Sequence, residues 1–342
     1  MEFSAWKEIV YFESNGWRKT MFRKLKPVQL LVVFAVLLLL FAITQWMQNR
    51  KGEKTFRTEI APLDTAKVTE ILLQEGKKEV RIFRTDNLWK VSAGHAEWKA
   101  DPNAVRNLME EISLMKAEQV AATSDALWKE LGVDDSAGIH VTIKGKRKIL
   151  AGIVVGRFSY RPPLSPYDRQ GTAVTYVRRS DEKNVYAVNG FLRFSMAPDP
   201  GSFRNKNLLS GQSASWMRLR FTYPGDSSFV LEKKDKGWYI DQIPADSAKT
   251  EEYLGNMEHV IGYEFADSAQ RAQFPAFALL VEQNGGNPVE IKAFPSDSVH
   301  RFVLSSSQNP ESWFSGKNGL TERIFKGKSY FSGKEKGMKK KD

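Results

Sequence analysis

Residues 68–91 read VTEILLQEGKKEVRIFRTDNLWKV, and residues 216–240 read WMRLRFTYPGDSSFVLEKKDKGWYI. Both alternate apolar with polar side chains, around Ile71, Leu73, Val80 and Ile82 in the first and Leu219, Phe221, Phe229 and Leu231 in the second. A period of two belongs to a strand with one face buried. Each stretch then turns on Asn, Asp or Gly, which tolerate left-handed backbone, and starts a third strand with a tryptophan, Trp89 or Trp238. Both tryptophans are expected in the core.

Each stretch leads to a helix. Asp101 can cap the free amides of the first, and Pro102 suits its first turn. Val105, Leu108, Met109, Ile112 and Met115 then form an apolar stripe. Asp246 is the matching cap in the second, before Tyr253, Leu254, Met257, Val260 and Ile261. Such stripes are those of helices lying on a sheet. Further strands are expected at 139–143, 149–156, 174–177 and 185–188, then at 277–282, 289–294 and 302–305, with a short helix near 191–196. The fold class is therefore α+β: two tandem repeats of antiparallel sheet with a covering helix, over residues 63–200 and 201–332.

Upstream, residues 28–47 read VQLLVVFAVLLLLFAITQWM. Twenty helical residues span about 30 Å, the thickness of a hydrocarbon core. Trp46 suits the membrane–water boundary, and Arg50, Lys51 and Lys54 lie beyond it. A cleaved signal peptide is the rival reading, but the segment lacks a small-x-small site: Ala42-Ile43-Thr44 is the nearest approach, and Gln45-Trp46-Met47 follows it. An uncleaved signal anchor is expected. Residues 1–27 would be a basic cytoplasmic tail, 48–62 a linker, and the rest a periplasmic or otherwise extracytoplasmic domain of the inner membrane. Two readings fit residues 1–20. Translation starts at Met21, or Trp6, Ile9, Val10 and Phe12 line a short interfacial helix. Residues 333–342, GKEKGMKKKD, read as a disordered basic tail.

Composition narrows the chemistry. The 342 residues are 42% hydrophobic and 27% charged, the balance of a folding chain, and 12% aromatic, enough for large side chains in a core. There is no cysteine, which excludes disulfides, thiolate catalysis, cysteine zinc sites and a lipoprotein's acylated cysteine. The net charge of +11 suits an anionic partner or serves solubility alone, and an exported domain disfavours nucleic acid.

Catalytic signatures are not evident. His95, His140, His259 and His300 are scattered, with His259 expected on the second helix, and none has metal-ligand spacing. Gly327-Lys328-Ser329 resembles the end of a phosphate-binding loop, but Glu322 stands where its first glycine belongs. Asp134-Asp135 and Asp181-Glu182 are adjacent carboxylates in expected turns, where solvated acids are ordinary. No catalytic residue, metal or cofactor is assigned. Two features suit contact with a partner. Lys146 and Arg147 mark a basic hairpin tip around Gly145. The loop 157–172, RFSYRPPLSPYDRQGT, combines Tyr160 and Tyr167 with Arg157, Arg161, Arg169 and three prolines. Tyrosine and arginine favour interface hot spots, and long loops often carry function.

The order of parts resembles the bacterial DUF4340 family. The segments that carry the likeness are the strand pair ending at Trp89, then Asp101-Pro102-Asn103-Ala104, then residues 127–134 (LWKELGVD), then residues 202–206 (SFRNK) and the restart at Trp216. They are turns, caps and core aromatics, and the likeness covers roughly residues 60–330. It implies no catalytic residues. Some members resemble periplasmic parts of ABC-type systems linked to gliding motility in Bacteroidetes. The resemblance thus implies an anchored accessory or scaffold subunit, held in the bilayer by residues 28–47 and meeting a membrane or envelope protein. The competing expectations are a module that binds envelope polysaccharide and an enzyme with a dispersed site.

Overall fold

A computed structural model describes residues 34–41, 58–162 and 171–332. Residues 34–41 are helical, and their large apolar side chains are 51–62% exposed. The expected anchor at 28–47 extends beyond them on both sides, outside the described residues. Among the described residues no helix is long and apolar enough to cross a membrane.

From Thr58 onward the chain builds two large antiparallel sheets. The first begins as a meander of β1 (Glu70–Glu75), β2 (Lys78–Thr85), β3 (Leu88–Ala93) and β4 (Ala96–Lys99). Helix α1 (Pro102–Ser113) follows, then β5 (Ala117–Ala122), β6 (Ile139–Lys144), β7 (Ile149–Arg161), β8 (Thr172–Arg179) and β9 (Val185–Asn189). Their order is β4-β3-β2-β1-β6-β7-β8-β9-β5. A short strand, β10 (Asn207–Ser210), opens the second half. Strands β11 (Trp216–Thr222), β12 (Phe229–Lys234), β13 (Gly237–Ile240) and β14 (Ile243–Pro244) repeat the meander. Helix α2 (Ser247–Met257) follows, then β15 (His259–Ile261), β16 (Phe277–Gln283), β17 (Val289–Pro295), β18 (Phe302–Ser306) and β19 (Phe314–Ser315). The second sheet runs β14-β13-β12-β11-β16-β17-β18-β19, while β10 pairs with β15. In both sheets a strand that follows the helix returns beside the first strand of the meander, β6 beside β1 and β16 beside β11.

Local chemistry explains the helix starts. Asp101 accepts a 2.8 Å hydrogen bond from the Asn103 amide, and Asp246 accepts one of 3.1 Å from Lys249. Val105, Leu108 and Ile112 of α1 meet Ile71, Leu73, Val80 and Ile82 in one core. Tyr253, Leu254 and Met257 of α2 meet Leu219, Phe221 and Leu231 in another. The paired tryptophans differ from expectation. Trp89 and Trp238 are only half-buried at the rims of these cores. Each sits on the next-to-last strand of its sheet, packed against the core on one side and open to solvent on the other. Among the described residues the fully buried indole is that of Trp216. His259 also differs: α2 ends at Met257, so His259 opens β15 instead of lying on the helix.

The halves meet at residues 202–206. Arg204 is 4% exposed, and its guanidinium forms a bidentate pair with Asp267, at 2.6 and 3.0 Å, and a 3.0 Å hydrogen bond to Ser312 Oγ. It lies 4.0 Å from the ring centroid of Trp98, on β4, and 3.7 Å from that of Phe265. Backbone bonds flank it: Asp101 N–H donates to Phe203 O at 2.8 Å and Asn205 N–H to Lys99 O at 2.8 Å. Asn309 Nδ2 donates to Asn205 O at 2.8 Å from the second half. Replacing Asp267 with Ala should cost about 3 kcal/mol, since it leaves a buried charge without its partner. Urea unfolding checks this, and the double variant Arg204→Met/Asp267→Ala should recover part of the loss.

Glu70 on β1 gives a second check. Burial raises its carboxyl, but hydrogen bonds from Arg81 (2.7 and 2.9 Å) and Lys144 (2.8 Å) outweigh this and hold it below its ordinary 4.5. A depressed folded value gives stability that is complete above the unfolded value and is lost as pH falls through the folded one. Urea midpoints should therefore drop as pH falls below about 4.5, and Glu70→Gln should flatten that part of the profile.

Candidate functional site: an aromatic end of the first sheet

The segment 157–161, expected as loop, continues β7. The pleat carries on because Phe158 and Tyr160 alternate with Arg157, Ser159 and Arg161, and a register shift between Val155 and Phe158 takes up the extra residue. Phe158 then stands opposite Thr175, and Tyr160 opposite Ala173. The Tyr160 hydroxyl accepts a 3.1 Å hydrogen bond from Gly171 N–H across the mouth of the hairpin. Tyr167 and Arg169 lie outside the described residues, and only the backbone of Arg161 is described.

The turn after β9 adds two more rings. Thr175 Oγ1 donates to Gly190 O at 2.6 Å and accepts from Leu192 N–H at 3.2 Å, which fixes the short helix Leu192–Ser195 against β8. Phe191 and Phe194 are thereby set beside Phe158. The three ring centroids are 5.6–6.0 Å apart, and the rings are 53%, 68% and 47% exposed, respectively. Exposed apolar clusters of this kind mark interaction surfaces.

A cleft of about 320 Å³ opens beside them, lined by Gly132, Ala137, Arg157, Phe158 and Arg193. Arg193 pairs with Glu75 and donates to Ala137 O at 3.3 Å, so its charge is committed. Arg157 is exposed, with its stem against Gly132. Gly132 ends the helix Trp128–Leu131 at φ 67, and a β-carbon there would sit 2.8 Å from Arg157 Cγ. Glycine at this point thus serves both the left-handed turn and the close approach. Residues 127–134 close over the outer face of β7–β9. Trp128 lies under the Arg178 guanidinium at 3.9 Å, and Arg178 Nε donates to Val133 O at 3.2 Å. Burial lowers the Arg178 pKa, and the charge of Asp135 works against that shift.

The other sequence candidates fall elsewhere. Lys146 and Arg147 are exposed at the β6–β7 turn, the opposite end of β7, roughly 30 Å along the strand from Arg157. The basic tip and the aromatic loop therefore do not form one surface. The carboxylate pairs serve turns and ion pairs. Asp134 accepts from the amides of Ser136 and Ala137 at 2.9 and 3.2 Å, and these bonds, led by the Ser136 hydroxyl, lower its pKa. Asp181 and Glu182 pair with Arg179 at 2.9 and 3.2 Å. Lys328 pairs with Asp241 at 2.6 Å. Among the described residues no three His, Cys, Asp or Glu side chains converge as a metal site.

The family model for a domain of unknown function, DUF4340, matches residues 89–276, more than half of the chain. The chain belongs to the DUF4340 family. The match runs from β3 to the residue before β16, so it takes in both helices and the joint formed by Trp98, Arg204, Phe265 and Asp267. Comparison with the curated proteins and with the solved structures returned no match.

Sequence reasoning pointed to Arg157 and Tyr160 but passed over Phe158, Phe191 and Phe194. The phenylalanines at 191 and 194 are three apart, flanking Leu192 and Arg193, which is too aromatic for a turn that buries only Leu192. That excess was the available signal. Because the rings are largely exposed, replacing all three with Ser should leave the melting temperature within a few degrees of wild type. The same change should reduce binding of a hydrophobic dye by the folded protein, which fluorescence titration would measure.

Proposed function

We propose that this DUF4340 protein is a membrane-anchored accessory subunit of a cell-envelope complex, working by contact and not by catalysis. The aromatic end of the first sheet is its contact surface, and this unpartnered ring cluster beside Arg157 is the observation that carries the reading. The exposed apolar side chains of residues 34–41 support an anchor at 28–47, with the N-terminus in the cytoplasm and the folded part beyond the inner membrane. In line with the family resemblance, the complex is of the ABC-transporter type, and its ATPase resides on another chain.

A second reading, a module for envelope polysaccharide, is favoured by a cleft of about 490 Å³ in the second half. Tyr223, Phe277 and Phe325 line it together with Asp226, Ser227 and Ser228. Rings with neighbouring hydroxyls and a carboxylate suit the apolar faces and hydroxyls of sugars. The Tyr223 hydroxyl donates to Lys326 O at 2.8 Å, and burial pushes its pKa far above the usual range, so it stays a neutral donor.

Affinity purification of the full chain from membranes in mild detergent separates the two. The accessory reading expects a membrane protein to co-purify in fixed ratio. Recovery of the bait alone counts against it. Retention on envelope glycan without a protein partner favours the second.

A further inference from the structure

We infer that the partner meets the aromatic end through a charge-polarised segment: apolar side chains over Phe158, Phe191 and Phe194, an acidic residue on Arg157, and a basic one on Glu111 and Glu118. This names the chemistry of the protein that the proposed contact surface receives, and it rests on that reading.

Two clefts flank the rings, and the helix Leu192–Ser195 divides them. Its Arg193 lines the first cleft, of about 320 Å³, together with Arg157. Its Leu192 lines the second, of about 280 Å³, together with Glu111, Leu114, Lys116 and Glu118. Leu114 is 71% exposed and carries the apolar surface into this second cleft. Strand register sets the span between the flanks. Phe158 stands opposite Thr175, Thr175 opposite Val188, and Val188 opposite Ala117. That row takes three cross-strand steps, about 14 Å. Arg157 adjoins one end of it and Glu118 the other. An extended segment crosses such a distance in about four residues, and a helix in about nine.

Charge differs between the flanks. Arg157 is exposed and forms no ion pair among the described residues, while Arg193 beside it is held by Glu75. Glu111 and Glu118 form no ion pair among the described residues either. Glu59 stands across an isolated bridge from Lys116, so the two side chains share a face. Three carboxylates therefore surround one ammonium. Helix α1 adds to this negative field. Its last turn holds Glu110 and Glu111 and no basic residue, although the carbonyl end of a helix favours cations. Acids in that position destabilise the helix end by itself, and a cation from the partner relieves carboxylates and carbonyls together. Local departures of this kind gather at functional sites. The rings supply the attraction. The opposite charges at their two sides fix the direction in which the partner lies, because the reversed segment brings like charges together.

A photoreactive benzoyl analogue of phenylalanine placed at 194, and separately at 191, reads the contact in cells that make the chain at its native level. Irradiation and mass spectrometry then give the partner peptide joined to it. The inference expects apolar residues at the joined site, with an acidic and a basic residue on opposite sides of it, about nine residues apart if the segment is helical. Arg157→Glu and the pair Glu111→Lys/Glu118→Lys should each lower the adduct several-fold. Arg157→Gln and Glu118→Lys alone replace them if either variant melts early, and rising salt in isolated membranes should lower the adduct in the same way. Adducts with lipid only, or none at all, at both 194 and 191 remove the contact surface and this inference together. A protein adduct that survives the charge changes undiminished, or that joins a wholly apolar stretch, overturns the inference alone.

Discussion

A buried guanidinium holds the two sheets in one structure. Arg204 lies between Trp98 of the first half and Phe265 of the second, with its charge answered by Asp267 and one Nη2 bond donated to Ser312. An unpaired charge in such a place costs several kcal/mol, so these side chains have to come together as a set. They come from β4, from the turn before β10 and from two loops of the second half. The set therefore links the docking of the halves to their folding. The backbone bonds around Phe203, Asn205 and Lys99 follow from that placement, and so does the cover over β4, whose outer edge would otherwise be free to pair with another chain.

The joint and the aromatic end lie on different parts of the first sheet, the joint at β4 and the rings at β7 and the turn after β9. One edge, β4, meets the second half at its last residue, Lys99, and the other, β5, is bridged just before its start, between Glu59 and Lys116. Exposed rings gather at one end of the strands, where β7 runs past its bulge and the turn after β9 brings Phe191 and Phe194 alongside. The three rings belong to neither large core; they stand on Thr175 and the helix Leu192–Ser195 instead. Contact at this end therefore leaves the packing of both cores undisturbed.

Much of the fold was legible because its determinants are local. Alternation located the strands of both meanders, and Asp101, Pro102 and Asp246 located the helix starts, since a cap acts within three residues of itself. The extent of β7 was not legible. Its prolines and arginines beyond residue 161 read as loop, while the alternation of Phe158 and Tyr160 was too short to outweigh them. Trp89 and Trp238 misled in the same way, because burial depends on where a strand lies in the sheet and not on the tryptophan.

The amino-acid sequence by itself determined an α+β chain with antiparallel sheets, the absence of thiol chemistry, the membership in DUF4340 and two residues of the aromatic end, Arg157 and Tyr160. Each rests on composition or on residues close together in the chain. Tertiary structure alone decided that Phe158 meets Phe191 and Phe194, that Lys146 and Arg147 belong to the opposite end, and that Arg204 finds Asp267 sixty-three residues away. These pairings depend on strand register and on a buried charge seeking its partner, and neither leaves a periodic mark in the sequence.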